Sequence, residues 1–173
     1  MYRIVYADTT NIELIIQVAE KTWTKTYAPI LSSEQVLFMY EKLFTPSAIA
    51  LQMDEGYIFA IVVEDEKAMG FISYKINTNE IYVSKLYVCP EFHGIGIGKL
   101  LLLHVEKQGI SLGKTFICLN VNIHNPALKF YNHNGYKIIR SEDIPYYQFT
   151  LNDYILQKEV RPIPPQSEGV RHS

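Results

Sequence analysis

The chain has 173 residues, of which 48% are hydrophobic and 20% charged, a balance typical of a folded protein rather than a disordered one. Its formal net charge of -2 offers no general attraction for a phosphate backbone, so nucleic acid is excluded as an expected partner. The N-terminus lacks the apolar core of a secretory signal and no apolar run reaches the length of a membrane span, which predicts a cytoplasmic protein without a membrane partner.

The first part of the chain predicts one strand and two helices. The strand is "YRIVYA" at 2–7, and apolar residues at helical spacing over 12–27 then predict an amphipathic helix with a capping box that begins at Thr10. A second capping box at Ser32 opens another helix, which we expect to end near Pro46.

Three strands and a helix are predicted next. The strands are consecutive antiparallel neighbours at 57–63, 70–76 and 81–88. The segment "FHGIGIGKLLLLHVE" at 92–106 then opens a helix whose leucines face the core and whose Glu106 faces water. A strand at 115–121 follows, and the order strand, helix, strand predicts a parallel crossover.

The last part of the chain predicts a short helix and two strands. Asn125 is the expected cap of that helix, followed by Pro126 at its first position, and Gly135 ends it. The whole is predicted to be an α/β protein with a mixed sheet, in a single domain at 1–160. Residues 161–173 hold few side chains that could pack, so we expect a disordered tail there.

The two cysteines, Cys89 and Cys118, are too few for a disulfide framework and lack the paired spacing of a zinc site. We therefore expect buried, inert thiols and no metal.

The glycines at 93–99 stand where a strand passes into a helix. Backbone N–H groups at such a helix start are unpaired and favour an anion, which predicts a phosphate cradle. The Walker pattern fails, because its first glycine falls on His93 and its hydroxyl on Leu100. The dinucleotide pattern GxGxxG fails as well, because its third glycine falls on Lys99 or Leu101. A role in close packing alone stays open.

Two motifs resemble the GCN5-related N-acetyltransferases, the GNAT family. That family's pyrophosphate loop has Gln or Arg, two residues, Gly, one residue and Gly or Ala, a register that here starts at His93 in place of Gln or Arg. The second motif is "NPALKFYNHNGY" at 125–136, which resembles the family's downstream pattern of asparagine, aromatic, tyrosine and glycine. The resemblance covers about residues 2–160, and the segments at 22–36 and 151–160 are also similar to the polyamine-acetylating branch.

The resemblance implies a GNAT-like fold and a binding site for acetyl-CoA. The fold would be a mostly antiparallel sheet of about seven strands, with strands four and five splayed apart and helices on both faces. Pantetheine would run along the backbone of Leu86, Tyr87 and Val88, where an N–H near Val88 would stabilise the oxyanion. The pyrophosphate would be held by the loop residues His93, Gly94, Ile95, Gly96, Ile97, Gly98 and Lys99.

The resemblance also implies roles for two residues of the downstream motif. Tyr131 would be the general acid that gives its proton to the departing CoA thiolate, because a tyrosine stays protonated at neutral pH. Asn125 would cap its helix and contact the cofactor. A purely packing Tyr131 and a purely capping Asn125 are the alternatives.

The general base is left open. Many relatives place a glutamate nine or eleven residues before the loop's Gln or Arg, and counted back from His93 these positions hold Ser84 and Tyr82. Neither is a carboxylate. Glu80 lies on the same strand face by the period of two and could act directly or through water, and a water chain that ends on Tyr82 is equally open.

The expected activity is transfer of an acetyl group from acetyl-CoA to an amine of a small molecule or peptide, by direct attack in a ternary complex. The alternative is a non-catalytic acyl-CoA-binding or sensing module of the same fold. A homodimer stays open beside a monomer. Aromatic residues of the first helices and last strands would line the acceptor pocket: Trp23, Tyr27, Phe38, Tyr40, Tyr146, Tyr147 and Phe149.

Overall fold

Seven strands form one sheet in the order β1-β2-β3-β4-β5-β7-β6. The structure is a computed structural model that describes residues 1–161, so most of the tail predicted at 161–173 lies outside the described residues. Neighbouring strands are antiparallel except for β4 and β5, which are parallel, and this confirms the predicted mixed, mostly antiparallel sheet. The elements are β1 Arg3–Tyr6, α1 Ile12–Tyr27, α2 Ser33–Phe44, α3 Pro46–Asp54, β2 Ile58–Glu64, β3 Lys67–Ile76, β4 Glu80–Val88, α4 Ile97–Ser111, β5 Phe116–Asn122, α5 Ala127–His133, β6 Lys137–Tyr146 and β7 Phe149–Glu159.

The helices pack on both faces of the sheet, as predicted. On the α4 face, α4 and α5 bury Leu101 and Val105 against strand residues such as Ile72. On the α1 face, α1, α2 and α3 bury Ile15 against Phe71 and its neighbours. Each large apolar side chain buried in this way contributes about 1.5–3 kcal/mol. No helix within residues 1–161 is long and apolar enough to cross a membrane.

The predicted cap of the first helix is wrong by two residues. The capping residue is Asp8 instead of Thr10. The Asp8 side chain accepts a hydrogen bond from the Thr10 backbone N–H at 2.8 Å, and the Asn11 side chain accepts one from the Asp8 N–H at 3.0 Å. A single 3-10 turn at Thr9–Asn11 therefore precedes α1 and moves the cap upstream. The predicted cap at Ser32 is confirmed, since its hydroxyl accepts from the Gln35 N–H at 3.1 Å.

A third helix, α3, begins at the proline that was expected only to end the second. The Thr45 hydroxyl accepts a hydrogen bond from the Ala48 N–H at 3.2 Å, so Thr45 is an N-cap and Pro46 is the first helical residue. Proline is favoured at that position because its missing N–H would have no partner there. Threonine followed by proline is therefore the start signal of α3 as well as the end of α2.

Glu106 of α4 is buried, so its predicted place on the water-facing side of the helix is wrong. Its carboxylate forms an ion pair with Lys158 of β7 and accepts a hydrogen bond from the Tyr136 hydroxyl at 3.2 Å. These partners come from the far end of the chain. Together they compensate the cost of burying the charge and tie α4 to β7.

Strands β4 and β5 part halfway along their length. They pair only where Glu80–Val83 face Phe116–Leu119. A register shift at Ser84 follows, so that Val83 pairs with Tyr74 but Lys85 pairs with Ser73. The extra residue reverses the alternation of β4 and turns the Lys85 side chain to the α1 face. Beyond this bulge β4 pairs with β3 and β5 pairs with β7, which leaves a gap between them.

Candidate active site

A cavity of about 1480 Å³ opens at the gap between β4 and β5. Its walls come from the parted ends of both strands, the start of α4, the segment before and within α5, and the C-terminal end of α1. The cavity gathers most of the predicted site residues, namely Leu86, Tyr87, Val88, His93, Gly94, Gly96, Ile97, Gly98, Lys99, Asn125 and Tyr131. Ile95 is exposed beside them, and its side chain is not among those that line the cavity in the described structure.

Two loop glycines have backbone conformations that other residues rarely adopt. Gly94 has φ of 81° and Gly96 has φ of 86°, and Gly96 is the N-cap of α4. The first backbone hydrogen bond of this helix runs from the Leu100 N–H to the Gly96 oxygen, 2.9 Å, so earlier N–H groups lie ahead of the helical ladder. A Cβ at either glycine would stand in open space, which suits close approach of an anion to the backbone.

Gly98 has a different role, which is packing. A Cβ there would lie 3.3 Å from the Phe130 ring and 3.7 Å from a methyl group of Val88. Phe130 in turn contacts Tyr131, with ring centroids 5.2 Å apart. The packing alternative for the glycines therefore holds at Gly98, and it sets α4 close to α5.

His93 joins the loop to the strand before it. Its Nε2 atom lies 2.7 Å from the Val88 carbonyl oxygen, so the ring donates a hydrogen bond from that nitrogen. Gln and Arg, which are usual at this position in the family, also carry side-chain donors. Histidine at this position keeps a side-chain donor, and this donor binds the backbone of the chain itself at Val88.

Asn125 caps α5 as predicted, one residue earlier than a standard N-cap. Its Oδ1 accepts a hydrogen bond from the Ala127 N–H at 2.9 Å, and its backbone oxygen accepts from the Leu128 N–H at 3.1 Å. Asn125 and Tyr27 line the same cavity. The start of α5 therefore borders the same space as the end of α1.

Tyr131 is buried on α5, and its side chain lines the cavity. Burial raises the pKa of Tyr131 well above its usual value, so its hydroxyl keeps its proton. Tyr27 and Tyr87 line the same cavity, and burial is the main cause that raises the pKa of each. Three phenols from α1, β4 and α5 therefore meet where the strands part.

Glu80 and Tyr82 are not brought into the cavity. Glu80 lies at the paired end of β4, opposite Phe116, and its carboxylate accepts a hydrogen bond from the Cys118 thiol at 2.7 Å. Burial raises the pKa of Tyr82 to about 12. None of the described residues that line the cavity is an aspartate or glutamate.

The two cysteines are free and buried, as expected. Burial is the main cause that raises the pKa of the Cys118 thiol to about 12, and the Glu80 contact adds to it. No group of three His, Cys, Asp or Glu side chains that could hold a metal ion is found within residues 1–161.

Lys85 is a buried lysine at the cavity wall. Its ammonium donates hydrogen bonds to Gln52 at 2.6 Å and to the Ser84 hydroxyl at 3.2 Å, and it lies 5.9 Å from the centres of the Tyr57 and Phe59 rings. Burial lowers the pKa of Lys85 to about 8. No local sequence pattern indicated this burial, because it follows from the bulge at Ser84.

Most of the aromatic residues expected around the acceptor are packed against each other. Trp23 is buried and donates a hydrogen bond to the Val36 oxygen at 2.9 Å. Phe38 of α2 contacts the β6–β7 hairpin, and the Lys42 ammonium lies 4.9 Å from the centre of the Tyr147 ring. Of the seven aromatic residues, Tyr27 alone lines the cavity in the described structure.

Comparison with known families identifies the class of protein. A model described as the Acetyltransferase (GNAT) family matches residues 16–136, which is most of the chain. The chain therefore belongs to the GNAT family, and the resemblance read from its two motifs is confirmed. It is an acetyl-CoA-dependent N-acetyltransferase.

Individual relatives refine this result. The chain is 30% identical over 156 residues to a spermidine N(1)-acetyltransferase from Thermoplasma acidophilum, covering 86% of this chain and 91% of that protein. The crystal structure of the PaiA N-acetyltransferase from Thermoplasma acidophilum in complex with coenzyme A matches with a TM-score of 0.78 and 28% identity, covering 92% of this chain and 99% of that one.

A more distant structure supports the fold alone. The ribosomal-protein-S18-alanine N-acetyltransferase from Escherichia coli matches with a TM-score of 0.72 at 15% identity, covering 96% of this chain and 98% of that one. The overall fold is thus shared with a protein of much lower sequence identity.

Proposed function

We propose that the protein transfers the acetyl group of acetyl-CoA to a primary amine of a small polyamine-type molecule in the cytoplasm, by direct attack within a ternary complex. A peptide N-terminus is the other acceptor of the same chemistry. The observation that carries the proposal is the cavity at the parted strands, which joins a glycine-lined helix start to a buried tyrosine. The curated relative named for spermidine acetylation supports the choice of a polyamine.

The donor site follows from the chain's own backbone. The open space at Gly94 and Gly96, together with the N-terminal N–H groups of α4, provides a concave anion site for the pyrophosphate. The edge of β4 from Leu86 to Val88, which has no strand partner on the side of β5, would pair with the amides of pantetheine. Both parts border one cavity, as a single bent ligand requires.

The chemical step assigns two roles. When the amine attacks the thioester, the carbonyl oxygen gains negative charge, and a backbone N–H at or near Val88 would stabilise it. When the carbon–sulfur bond breaks, the Tyr131 hydroxyl would give its proton to the thiolate. Tyr131 suits this role because it is protonated, buried and on the cavity wall.

The test is release of CoA thiol from acetyl-CoA with a panel of spermidine, other diamines, aminoglycosides, amino acids and N-terminal peptides. We expect turnover with polyamines and weaker or no turnover with the rest. Tight binding of acetyl-CoA without turnover on any amine would favour the non-catalytic acyl-CoA-binding module instead. Turnover on peptides alone would reassign the acceptor while keeping the reaction.

A further inference from the structure

One carboxylate, Asp153 of β7, lies just beyond the cavity on the α1 face. Strand β5 turns Ile117, Leu119 and Val121 to the α4 face, so Asn120 and Asn122 face the other way. Asp153 pairs with Asn122 across the two strands and therefore shares this face. Asn120, one step along, lines the cavity itself.

Residues of four other elements lie around the Asp153 side chain. Asn120 of β5 is its diagonal neighbour on the same face of the sheet. The Asp153 carboxylate acts electrostatically on the hydroxyls of Tyr27 at the end of α1 and of Tyr82 on β4. Glu142 of β6 lies directly across from it. Asp153 is thus half-buried between the end of α1 and the gap where β4 and β5 part.

Two other carboxylates of this face are engaged by partners within the chain, whereas Asp153 has no ion-pair partner in the described part of the chain. Glu142 is paired with Arg140, and Glu80 accepts the thiol of Cys118. None of the ion pairs found within residues 1–161 includes Asp153. Burial raises the pKa of Asp153, and the neighbouring Asn120 amide opposes the rise only in part. A half-buried carboxylate without a cation is suited to receive one from outside the chain.

We propose that Asp153 binds the ammonium group of the acceptor and takes its proton before the nitrogen attacks the thioester. This inference rests on the proposed function and supplies the base that the β4 positions lack. One N–H bond of the ammonium breaks and Asp153 becomes protonated. A carbon–nitrogen bond then forms, the carbon–sulfur bond breaks, and the nitrogen loses its second proton. In sum, one of the two protons ends on the CoA sulfur and the other in solvent.

The test compares Asp153→Asn with the wild type, using spermidine as the acceptor and thiol release as the readout. We expect kcat/KM for spermidine to fall about 100-fold at neutral pH, the lower range for loss of a general base. Acetyl-CoA affinity, measured by calorimetry, should be unchanged and confirms that the variant is folded. Asp143→Asn is the matched control, because Asp143 carries the same group on the exposed side of the adjacent strand.

The pH dependence separates a base from a merely structural residue. Without Asp153 only the amine that is already neutral can react, so kcat/KM of Asp153→Asn should rise about tenfold per pH unit below the amine's pKa. The wild type, which uses the ammonium form, should be nearly flat over the same range. Tyr27, Tyr82 and Glu142 face the same carboxylate and are unchanged in the variant, so they do not create the difference.

A second variant, Asp153→Ala, leaves room for a small carboxylate, and added formate should restore part of its rate. An unchanged rate for Asp153→Asn, or a loss of equal size at every pH without rescue by formate, would overturn the inference. Absence of turnover by the wild type with every amine would instead remove the proposed function, and this inference with it. The two failures are therefore distinguishable.

Discussion

The His93 ring nitrogen Nε2 lies 2.7 Å from the carbonyl oxygen of Val88, so the start of the glycine loop is fastened to the last residue of β4. Both ends of this contact border the cavity. The contact therefore holds the proposed pyrophosphate cradle in a fixed position relative to the strand edge that would pair with pantetheine.

Replacing His93 with alanine should weaken acetyl-CoA binding without affecting the chemical step. The loop would lose one hydrogen bond worth about 0.5–1.5 kcal/mol, which corresponds to a rise in Kd of roughly 2- to 10-fold. Calorimetric titration with CoA measures this. His93→Gln is the control, because its amide N–H can donate to the same oxygen, and it should regain most of the affinity. Equal affinity in His93→Ala and the wild type would show that the contact does not position the loop.

Gly96→Ala should lose CoA affinity because its methyl group obstructs the cradle. This effect can be separated from backbone strain by a control variant. The Gly96 φ of 86° costs an L-residue about 1–2 kcal/mol, and the new methyl group would stand in the open space of the cradle. We expect CoA affinity to fall at least about tenfold, which is 1.4 kcal/mol or more.

Gly113→Ala provides the matched control for this variant. Gly113 has φ of 71°, a Cβ there would also meet open space, and it lies past the opposite end of α4. Both variants should lose similar stability on thermal unfolding, while Gly113→Ala keeps its CoA affinity. A parallel loss of affinity in both would mean that strain, and not the cradle, controls binding.

Tyr131→Phe should lower kcat with little change in acetyl-CoA affinity. The proton is needed only as the thiolate leaves, so removing the hydroxyl affects the transition state alone, and a loss of about 100-fold is expected. The phenyl ring keeps the packing against Phe130 and Tyr136. Steady-state kinetics with saturating acetyl-CoA measures the effect. An unchanged kcat in an enzyme whose chemical step is rate-limiting would remove Tyr131 from this role.

The features that the sequence predicted well are those set by neighbours along the chain. The glycine loop and the cap at Asn125 depend on local backbone geometry, and the sequence indicated both. Glu106 was misplaced because its partner Lys158 lies 52 residues further along. Asp153 was missed because its position beside Asn120 depends on how β5 and β7 pair, and no local spacing encodes that register.

Lys85→Met should stabilise the protein, and the gain should shrink as the pH rises. Burial lowers the pKa of Lys85 from 10.5 to about 8, so below pH 8 the folded state carries a buried charge at its full cost. Between these two values the unfolded chain holds a proton that the folded chain has released, and the stability of the wild type therefore rises with pH. The variant lacks this dependence. Its advantage near neutral pH should reach about 3 kcal/mol at most.

Thermal unfolding of both proteins across that pH window measures the difference. Lys75→Met is the control, because the Lys75 ammonium lies 5.2 Å from the centre of the same Tyr57 ring but its side chain is only half-buried. Its effect on Tm should be small at every pH. The Gln52 amide, which loses its partner in Lys85→Met, is partly exposed and can bond to water instead. A Tm difference between Lys85→Met and the wild type that stays constant from neutral pH to pH 10.5 would contradict the lowered pKa, since a buried ammonium that never releases its proton gives no slope.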